Sequence, residues 1–367
     1  MAKYDYLVVG AGLFGGTFAR TVTDLGAKVL IIDKNPYVAG AAYSESISGI
    51  EVHKFGPHIF HTDDLSIWKF ANRFTEFIPY IHTVKASIKN RLFSFPFNMM
   101  TFHQLWGCRT PLEAETIINQ QRVPIANPSN LEEWALSQLG VELYELFIYG
   151  YTKKHWKREP KELPAAILKR IPIRFTYDDR YFSDRYQGIP THGYTKMVEN
   201  MINGIELRLN TDIKEINDWQ SLANKLVYSG SIDELYNYKY GVLEYRTLEF
   251  KNELVTGDKQ GNSIINYPDY SVPYTRIIEH KHFTYQKMAH TIVSHEYPVT
   301  WNQELPRYYP INDEKNKILY KKYLAEIQDD NIIIGGRLGA FKYMDMHQVI
   351  GSAISLANKT MRIRTQN

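Results

Sequence analysis

The chain opens on two short apolar runs with an amphipathic stretch between them. Residues 6–9 and 28–32 are rich in Val, Leu and Ile, which is typical of buried strands. A glycine-containing turn and a helical pattern lie between them, and Asp33 ends the second run. This order predicts a strand, a helix and a second strand of a parallel α/β sheet.

The turn after the first run carries three glycines with the spacing of a dinucleotide-binding fingerprint: Gly10, Gly12 and Gly15. Gly10 allows the tight turn, Gly12 lets backbone approach a pyrophosphate, and Gly15 lets the helix pack close to the strand. The pyrophosphate would lie at the helix N-terminus, where unpaired N–H groups favour negative charge. Asp33 is placed to accept a hydrogen bond from a ribose hydroxyl. A glycine-rich turn in another α/β protein is the alternative, but both strands and the acidic residue favour one dinucleotide site.

The rest of the chain predicts a helical region, a second sheet and a return to the first one. Helical signals dominate residues 64–151, and Ser129-Asn-Leu-Glu132 indicates a capping box at the start of one helix. The segments with the pattern of strands are 205–209, 225–228, 240–300 and 331–334. We expect residues 225–228 to return to the first sheet, 240–300 to form an antiparallel sheet, and 331–334 to precede a helical tail.

Composition narrows the class of protein. The 367 residues are 44% apolar, enough for two or three domains, and the net charge of +3 gives no electrostatic case for nucleic acid or a membrane surface. The chain leads into its first strand without a signal-peptide pattern, and no apolar run has the length of a membrane span. We therefore expect a cytoplasmic protein that neither binds nucleic acid nor inserts into a membrane. Because Cys108 is the single cysteine, a disulfide and a cysteine-cluster metal site are excluded; we expect it to be a packing residue and expect no metal.

Positive charge is concentrated in residues 153–185. Ten Lys and Arg stand there against five Asp and Glu, and aromatic residues lie in and beside the segment. Cations interleaved with aromatic rings suit a ligand that has a stackable base and phosphates, namely a nucleotide. A solvated basic face is the alternative for most of the lysines. Arg170 and Arg174 flank an apolar Ile-Pro-Ile, where an unpaired guanidinium is unfavourable, and are the better binding candidates.

Longer motifs extend along the whole chain. They include Gly56-Pro-His-Ile-Phe-His-Thr62, Gly150-Tyr-Thr152, Glu162-Leu-Pro-Ala165, Lys169-Arg-Ile-Pro-Ile-Arg-Phe175, Asp184-Arg-Tyr-Gln-Gly188, Val272-Pro-Tyr-Thr-Arg276, Tyr308-Tyr-Pro310, Gly335-Gly-Arg337 and Lys342-Tyr-Met-Asp-Met346. With these motifs the chain resembles prokaryotic UDP-galactopyranose mutases over essentially its full length. The resemblance implies an α/β fold in three parts: a Rossmann-like FAD-binding domain from residues 1–76, 190–235 and 310–367, a helical insertion domain at 77–155, and an antiparallel β-sheet layer from 156–189 and 236–309.

The resemblance also implies the interconversion of UDP-galactopyranose and UDP-galactofuranose, with no net redox change. In the family, reduced FAD uses its N5 atom as a nucleophile on the anomeric carbon, displaces the nucleoside diphosphate, and holds the sugar as an adduct while its ring opens and recloses. The protein would then position the nucleotide sugar and stabilise charge. The implied cofactor is FAD in its reduced form, the implied partner is a nucleotide-sugar substrate, and a homodimer is left open.

Residues that match family positions fall into three groups. The catalytic group is Arg170, Arg276, His58 and His61, of which the two arginines would bind the diphosphate leaving group. The substrate-binding group is Phe147, Tyr151, Thr152, Trp156, Tyr181, Asn266, Tyr309, Tyr343, Asp345 and His82. The FAD-binding group is Gly10, Gly12, Leu13, Phe14, Gly15, Asp33, Lys34, Gly40, Ala41, His58, Ile59 and Arg337. Tyr181, Tyr309 and Tyr343 would donate hydrogen bonds to the diphosphate. Tyr151 would stack on the base, and Trp156 would border the sugar.

The chain departs from the family pattern at three places. The usual Gly-Gly-Asn-Ala-Tyr is Ala39-Gly-Ala-Ala-Tyr43 here, so FAD affinity is expected to differ. An asparagine that commonly faces the sugar is His82, and the usual Gln-Trp-Gly is His155-Trp-Lys157. These changes leave open which sugar is preferred. The alternatives to UDP-galactose are a dTDP-linked 6-deoxygalactopyranose (dTDP-fucopyranose) and UDP-N-acetylgalactosamine.

Two interpretations from other classes remain. An amine-oxidase-like flavoprotein would use the same fingerprint for hydride removal, and a binding protein of this fold would carry no flavin. A colourless preparation that cannot take up FAD would favour the binding protein, while a yellow one that consumes oxygen with an amine would favour the oxidase.

Overall fold

The computed structural model of the chain describes residues 2–169 and 171–366. Within these ranges the strands, numbered β1 to β17 in chain order, are Tyr4–Val9, Val29–Ile32, Ser44–Ile47, Ile50–His53, Phe60–Thr62, Phe77–Pro79, Val84–Ile88, Arg91–Phe95, Tyr186–Pro190, Glu206–Arg208, Ala223–Tyr228, Tyr245–Thr256, Ile264–Asn266, Arg276–Glu279, His290–Val299, Tyr309–Pro310 and Ile332–Ile334. Arg170 lies outside the described residues.

The helices, numbered α1 to α13, are Leu13–Asp24, Leu65–Ala71, Met99–Trp106, Pro111–Gln121, Leu131–Leu139, Val141–Leu143, Gly150–Trp156, Ala166–Lys169, Gly193–Met201, Ile232–Leu235, Glu314–Ala325, Gly336–Gly339 and Met346–Gln366. A π-helical stretch, Tyr144–Tyr149, joins α6 to α7. The described helices include none that is both long enough and apolar enough to span a bilayer.

The first compact unit, residues 1–79, 184–245 and 305–367, holds a parallel sheet in the order β10-β2-β1-β11-β17. The apolar runs at 6–9 and 28–32 form its central pair, and all four residues of β2 are buried. Strand β11 pairs in parallel with β1, and β17 pairs in parallel with β11. The predicted return of residues 225–228 to this sheet, the strands at 205–209 and 331–334, and the helical tail are therefore confirmed.

Helix α1 packs on this sheet at unusually short range. A Cβ atom on Gly15 would overlap the carbonyl oxygen of Gly10, so only glycine permits this approach. One and two turns later, Phe18 and Val22 are fully buried, and α1 also packs against α13. The β1–α1 turn is therefore fixed by backbone-to-backbone contact, as the fingerprint predicts.

The second compact unit, residues 80–183 and 246–304, holds six strands in the order β12-β15-β14-β13-β7-β8. All neighbours are antiparallel except β13 and β7. The antiparallel sheet predicted for 240–300 is confirmed. Cys108 is buried in this unit, and desolvation raises the pKa of its thiol, as expected of a packing residue.

The helical prediction for residues 64–151 is wrong over part of its length, because β6, β7 and β8 lie there. Residues of β7 alternate between buried and half-buried, and the two residues between β7 and β8, Lys89 and Asn90, have φ values of 47° and 61°. Two positive φ angles are what a two-residue hairpin turn requires. The alternation of buried and half-buried residues in β7 is only five residues long, and the sequence analysis assigned it to the helical region because helical patterns surround it.

Strands β7 and β8 also bear on the expected division into three domains. They belong to the sheet of the second unit, although the sequence assigned residues 77–155 to a separate helical domain. Helices α3 to α8 lie in the same unit. Two compact units are thus described where three parts were expected.

The N-cap of α5 lies one residue after the position that the predicted capping box gave it. Asn130, not Ser129, is the N-cap of α5, and its side chain accepts a hydrogen bond from the backbone N–H of Glu133. The Glu133 carboxylate in turn accepts from the backbone N–H of Ser129. Asn and Ser are both good N-cap residues, so sequence spacing alone did not separate them.

Replacement of Gly15 by alanine tests the close approach of α1. We expect Gly15→Ala to lower the free energy of unfolding by about 1–3 kcal/mol or more, because the new methyl group would overlap the Gly10 carbonyl. Gly12→Ala is the matched control. Its Cβ would have no neighbour nearer than 3.8 Å, so its stability should stay within about 1 kcal/mol of the parent. Chemical denaturation measures both, and equal stability of the two variants would contradict the packing argument.

Candidate functional site

The β1–α1 turn presents backbone N–H groups without a side-chain cap. Gly12 is the N-cap of α1 and its φ is −80°, an ordinary value for any residue. The nearest atoms to a Cβ built on Gly12 are the Ala39 carbonyl oxygen and the Gly40 Cα, both 3.8 Å away. Neither packing nor backbone conformation therefore requires glycine here. A pyrophosphate bound at this uncapped helix N-terminus would approach the backbone closely and would require glycine.

Asp33 ties the end of β2 to this turn. Its buried carboxylate accepts hydrogen bonds from the backbone N–H groups of Ala11 at 2.7 Å and Asn35 at 2.8 Å. Oδ1 also accepts from the side-chain amide of Asn35 at 2.9 Å, whereas Oδ2 accepts only from Ala11 among the described residues and keeps a second lone pair that a ribose hydroxyl can use. Lys34 is exposed and pairs with Glu234 at 3.2 Å, which is a surface ion pair.

The segment after β2 lies against the turn through a bridge between Gly12 and Ala39. Ala39 has a φ of 72°, in the left-handed region, where the family pattern has glycine. An alanine there carries a penalty of about 1–2 kcal/mol relative to the right-handed region. Gly40 and Ala41 follow in a short 3-10 turn.

His58 is held as a neutral imidazole. Its Nδ1 lies 2.7 Å from the carbonyl oxygen of Gly56, which can only accept, so Nδ1 carries the proton and Nε2 is an acceptor. Desolvation, and then the positive charge of Arg337, lower the pKa of His58 to about 4. Ile59 beside it is buried.

Arg337 follows β17 and is flanked by two of the predicted tyrosines. One guanidinium nitrogen donates to the Tyr308 carbonyl at 2.7 Å, and the guanidinium lies 5.5 Å from the ring centre of Tyr309 and 4.9 Å from that of Tyr343. Its buried Nε has no hydrogen-bond partner among the residues described. Tyr343 donates to Asp345 at 2.8 Å. Arg337, His58 and these tyrosines are therefore brought together in the first unit, as expected.

His61 is buried and bonded to a carboxylate. Its Nδ1 lies 3.0 Å from Asp184, and its ring packs edge-on against His347 with centres 4.9 Å apart. Desolvation, and then the charge of His61, lower the pKa of His347. The carboxylate fixes the proton on Nδ1 of His61. His347 carries no family motif that the sequence analysis used and was missed.

In the second unit three strands place polar residues in one row. Asn266 of β13 lies opposite Arg276 of β14, which lies opposite Glu296 of β15. Residues directly opposite in antiparallel strands share a face. The Nε of Arg276 lies 3.0 Å from the buried carboxylate of Glu296, and another guanidinium nitrogen donates to the Tyr151 hydroxyl at 2.9 Å. The side-chain oxygen of Asn266 is buried without a hydrogen-bond partner in the part of the chain that is described.

Glu296 was missed by the sequence analysis although it orients Arg276. It is 1% exposed, and its carboxylate also accepts from the Thr275 hydroxyl at 2.6 Å. A buried carboxylate of this kind needs a cation, and Arg276 supplies it. Period-two alternation in 290–299 could have placed Glu296 on the Arg276 face, but only the register of β14 against β15 makes them neighbours.

Helix α7 carries the predicted base- and sugar-contacting residues. Thr152 is buried, while Tyr151 and Trp156 are half-buried. The ammonium group of Lys154 donates to the backbone carbonyls of Tyr267, Asp269 and Val272 at 2.7 to 2.8 Å. Desolvation lowers the pKa of Lys154 to about 8. These bonds fasten the 267–272 loop to the helix, a role the sequence did not reveal.

Phe147 lies in the π-helical stretch and in the aromatic core. Its ring centre is 5.7 Å from that of Phe93 and 5.3 Å from that of Phe97, and it is 3% exposed. Its contacts among the described residues are those of a packing residue. The predicted place beside the base stays a prediction.

His82 and Tyr181 are neighbours, as the sequence interpretation requires. The Tyr181 backbone N–H donates to the His82 carbonyl at 2.7 Å, and their rings lie 5.4 Å apart. The Nδ1 of His82 is 3.4 Å from the Tyr80 hydroxyl, which also bonds Ser263 at 2.5 Å. Burial raises the pKa of Tyr80, so the hydroxyl stays protonated. His82 is therefore an oriented, buried imidazole.

Arg174 has a structural role. Its guanidinium donates to the Arg180 carbonyl and the Ser183 hydroxyl and lies 3.7 Å from Asp178. These bonds satisfy the cation within the 174–183 segment. The interpretation of Arg174 as a binding candidate therefore receives no support from its contacts.

A cavity in the first unit lies outside the predicted cofactor residues. It has a volume of about 490 Å³ and is lined by Tyr37, Val38, Tyr43, Ile205 and Leu207, among others. No predicted FAD-binding residue lines it.

Sequence and structure comparisons agree with one family. Residues 146–343 match the family model of UDP-galactopyranose mutase, and residues 8–74 match that of an NAD(P)-binding Rossmann-like domain. A Klebsiella pneumoniae protein named "Probable UDP-galactopyranose mutase" is 38% identical over 366 residues, covering 98% of this chain and 95% of that one. The chain belongs to the UDP-galactopyranose mutase family. Members of this family are mutases, which are isomerases, and the chain is an enzyme of that class.

Two further likenesses refine this result. The dTDP-fucopyranose mutase of Escherichia coli is also 38% identical, over 364 residues that cover 96% of this chain and 97% of that one. The crystal structure of a reduced UDP-galactopyranose mutase superposes with a TM-score of 0.76 at 14% identity, covering 98% of this chain and 96% of the other. The structural likeness confirms the mutase family's α/β fold. The two sequence likenesses do not separate the sugars.

The low pKa of His58 predicts a pH-dependent stability. Its pKa is about 4 in the folded state and near 6.5 when unfolded, so the unfolded chain binds the extra proton between these values. Stability from the neutral ring is therefore fully present above pH 6.5 and is lost as pH falls toward 4. We expect His58→Gln to flatten this fall, which amounts to roughly 1–3 kcal/mol, in thermal or urea unfolding.

His192→Asn is the matched control, because His192 is exposed in the same unit and should leave the pH profile unchanged. An identical pH dependence in His58→Gln and the parent would show that His58 is not the group responsible.

Proposed function

We propose that the chain is an FAD-dependent nucleotide-sugar mutase that interconverts UDP-galactopyranose and UDP-galactofuranose. The observation that carries this proposal is the row of Asn266, Arg276 and Glu296 with the Tyr151 hydroxyl on Arg276. A guanidinium oriented on two sides suits a phosphate, and the Asn266 oxygen, which has no partner among the described residues, suits an N–H donor on a base. Membership of the family supplies the reaction class.

The residues of the first unit fit FAD. Gly12 leaves room that no side chain of the unit fills, the N–H groups at the start of α1 would hold the pyrophosphate, and Asp33 would accept from the ribose. The buried Nε of Arg337 is an unmet donor that an acceptor on the isoalloxazine ring would satisfy. When bound in its reduced form, the flavin supplies the nucleophile for the anomeric carbon.

The residues of the second unit would bind and polarise the substrate. Arg276 would hold the diphosphate and stabilise the charge that develops as it leaves, helped by Arg170 as the family resemblance implies. Tyr151 would stack on the base, and its hydroxyl keeps the Arg276 guanidinium in place. The bonds from Lys154 keep the 267–272 loop on the helix that carries Tyr151 and Trp156.

His58 would act as an oriented neutral group, and His61 as a positioning residue. The protonated Nδ1 of His58 is engaged by Gly56, so its Nε2 is available as an acceptor. A pKa of about 4 keeps this ring neutral at neutral pH. His61 is held by Asp184, which suits a positioning role.

A dTDP-linked 6-deoxygalactopyranose is the second candidate substrate. The observation that favours it is the buried His82, where relatives commonly have asparagine. The imidazole is bonded toward Tyr80 and packed on Tyr181, so it offers a different hydrogen-bonding pattern to a sugar hydroxyl. A site not built to bond a hydroxyl discriminates against its loss by only about 1–3 kcal/mol.

The experiment that tests the proposal is incubation of the reduced protein with a panel of nucleotide sugars, followed by chromatography for furanose products. Furanose from UDP-galactose or from a dTDP-6-deoxy sugar would support it. The folded, flavin-free control is Gly12→Val, whose side chain would occupy the pyrophosphate position without disturbing the unit. Oxygen consumption with an amine and no furanose product would instead identify an amine oxidase. A protein that cannot take up FAD would identify a binding protein.

Replacement of Arg276 tests the diphosphate role. We expect Arg276→Ala to retain flavin but lose turnover by about 10- to 100-fold or more, because one charge-assisted bond to phosphate contributes about 1.5–3 kcal/mol. The control is Arg91→Ala, an exposed arginine of the same unit. Steady-state rates and flavin absorbance measure both effects. Near-normal turnover in Arg276→Ala would remove this residue from the leaving-group site.

Replacement of His82 tests sugar preference. Suppose the parent enzyme has a higher kcat/KM for the dTDP-6-deoxy sugar than for UDP-galactose. His82→Asn should then raise kcat/KM for UDP-galactose relative to that for the 6-deoxy sugar by about tenfold, because an amide can bond a sugar hydroxyl that the fixed imidazole does not. Tyr80→Phe, which removes the hydroxyl near Nδ1 of His82, should shift it in the same direction but less. An unchanged ratio in His82→Asn would mean that this residue does not select the sugar.

A further inference from the structure

The backbone of His58 is bonded on both sides by buried side chains. Its N–H donates to Nδ1 of His53 at 3.1 Å, and its carbonyl oxygen accepts from the Tyr194 hydroxyl at 3.0 Å. His53 is 2% exposed and Tyr194 is fully buried. Because both partners are shielded from water, a rotation of the His58 backbone would leave buried polar groups without a hydrogen bond. The two bonds therefore fix the backbone at this residue.

Each bond requires one protonation state of its side chain. A backbone N–H can only donate, so Nδ1 of His53 is unprotonated and the proton of this ring lies on Nε2. Burial raises the pKa of Tyr194, so its hydroxyl keeps the proton that it donates. His53 and Tyr194 thus supply an acceptor and a donor that fit the two polar groups of the His58 backbone.

The two side chains are also fixed relative to each other. His53 ends β4, and Ser44 lies opposite it on β3. The Oγ of Ser44 accepts from the backbone N–H of Tyr194 at 3.0 Å, at the start of α9. The rings of His53 and Tyr194 pack edge-on with centres 5.5 Å apart. The β3–β4 hairpin and α9 therefore form one support for the loop of residues 54–59.

This support also determines where the His58 ring points. The ring centre lies 6.1 Å from that of Tyr194 and 6.2 Å from that of His53. Its Nδ1 lies 2.7 Å from the Gly56 carbonyl oxygen, to which it donates. With the backbone and Nδ1 both held, the ring is restricted to one orientation and Nε2 to one direction. This Nε2 is the acceptor that the proposed function assigns to His58.

We propose that His53 and Tyr194 are positioning residues of the mutase reaction, which hold the His58 backbone so that Nε2 of its ring stays directed at the flavin. Neither side chain has to touch flavin or substrate for this role. The inference deepens the proposed function and rests on it, because the flavin site is part of that proposal. The sequence motifs indicated neither residue.

Matched substitutions separate the hydrogen bonds from the volume of the side chains. His53→Asn keeps an acceptor near the place of Nδ1, since both atoms are bonded to Cγ, and His53→Leu has a similar shape without the acceptor. Tyr194→Phe removes only the hydroxyl. The control is Tyr323→Phe, which removes the hydroxyl of another fully buried tyrosine of the same unit that donates to the Gly241 carbonyl at 2.6 Å.

The first readout is an NMR titration of the flavin-loaded full chain with isotope-labelled histidine, in which the His58 signal is identified by its loss in His58→Gln. With a pKa of about 4, His58 should not titrate between about pH 5 and pH 8 in the parent, in His53→Asn or in Tyr323→Phe. In His53→Leu and Tyr194→Phe the released ring gains water, so its pKa should rise toward 6.5 and its titration should enter this range.

The second readout is turnover. We expect kcat to fall about 3- to 10-fold in His53→Leu and Tyr194→Phe, the effect of one hydrogen bond, while FAD content stays at the parent level. His53→Asn should recover most of the rate that His53→Leu loses. Tyr323→Phe should turn over as the parent does.

Several results would overturn the proposal. An unchanged His58 titration in both His53→Leu and Tyr194→Phe would show that the bonds do not hold the ring, and a lowered melting temperature without a new titration would mean a structural role only. Equal titrations in His53→Asn and His53→Leu would exclude the acceptor on His53. Should His53→Leu fail to fold, Tyr194→Phe decides. A released ring with normal turnover would show that the orientation of His58 does not serve the reaction.

The proposed function fails on a different result. A parent protein that cannot bind FAD would contradict it, whereas the titration of His58 in the same protein would still measure whether His53 and Tyr194 hold the ring.

Discussion

The first unit depends on one close approach, that of α1 to β1 at Gly10 and Gly15. Because a Cβ on Gly15 would overlap the Gly10 carbonyl, helix and strand can meet here only as bare backbone. The approach fixes the angle at which α1 leaves the sheet and directs its uncapped N–H groups past Gly12. Asp33 then ties the end of β2 to the same turn through the Ala11 N–H. The glycines of the fingerprint therefore differ: packing requires Gly10 and Gly15, whereas the contacts of Gly12 do not require glycine and leave room for the proposed pyrophosphate.

In the second unit, buried charged side chains are held in place by partners that neutralise or solvate their charge. Glu296 neutralises Arg276, and three carbonyls surround the ammonium group of Lys154. Each pairing fixes a side chain or a loop on the sheet face that helix α7 covers. Arg246 is buried, and two of its guanidinium nitrogens have no hydrogen-bond partner among the described residues. Buried polar groups that lack a hydrogen bond within the folded protein often bind a ligand, because the bond that would have stabilised the fold is formed with the ligand instead.

Much of the fold could be predicted from the sequence. The fingerprint, the strands at 205–209, 225–228 and 331–334, and the antiparallel sheet follow patterns whose physical causes are local. The hairpin of β7 and β8 was missed because its turn, Lys89-Asn90, lacks the glycine that usually marks two positive φ angles. The cap of α5 was misplaced by one residue, since Ser129 and Asn130 are both competent caps.

The candidate site was predicted less completely, for a different reason. Motifs reveal residues such as Arg276 and His58, but Glu296 and His347 lie in segments whose local pattern is that of an ordinary strand and an ordinary helix. Their significance comes from register and burial, which bring residues distant in sequence into contact. A single charged residue among strand positions, such as Glu296 between His295 and Tyr297, indicates a site only once the strand's buried face is known.

The central claim is that the chain isomerises a nucleotide sugar in a reaction that requires reduced flavin but consumes no electrons. It is tested most directly by measuring turnover with UDP-galactofuranose, or with the corresponding dTDP-6-deoxy furanose, in matched reduced and fully oxidised samples. The account predicts many turnovers per reducing equivalent in the reduced sample and none in the oxidised one. Equal turnover by oxidised protein, or product formed only in proportion to reductant consumed, would contradict it.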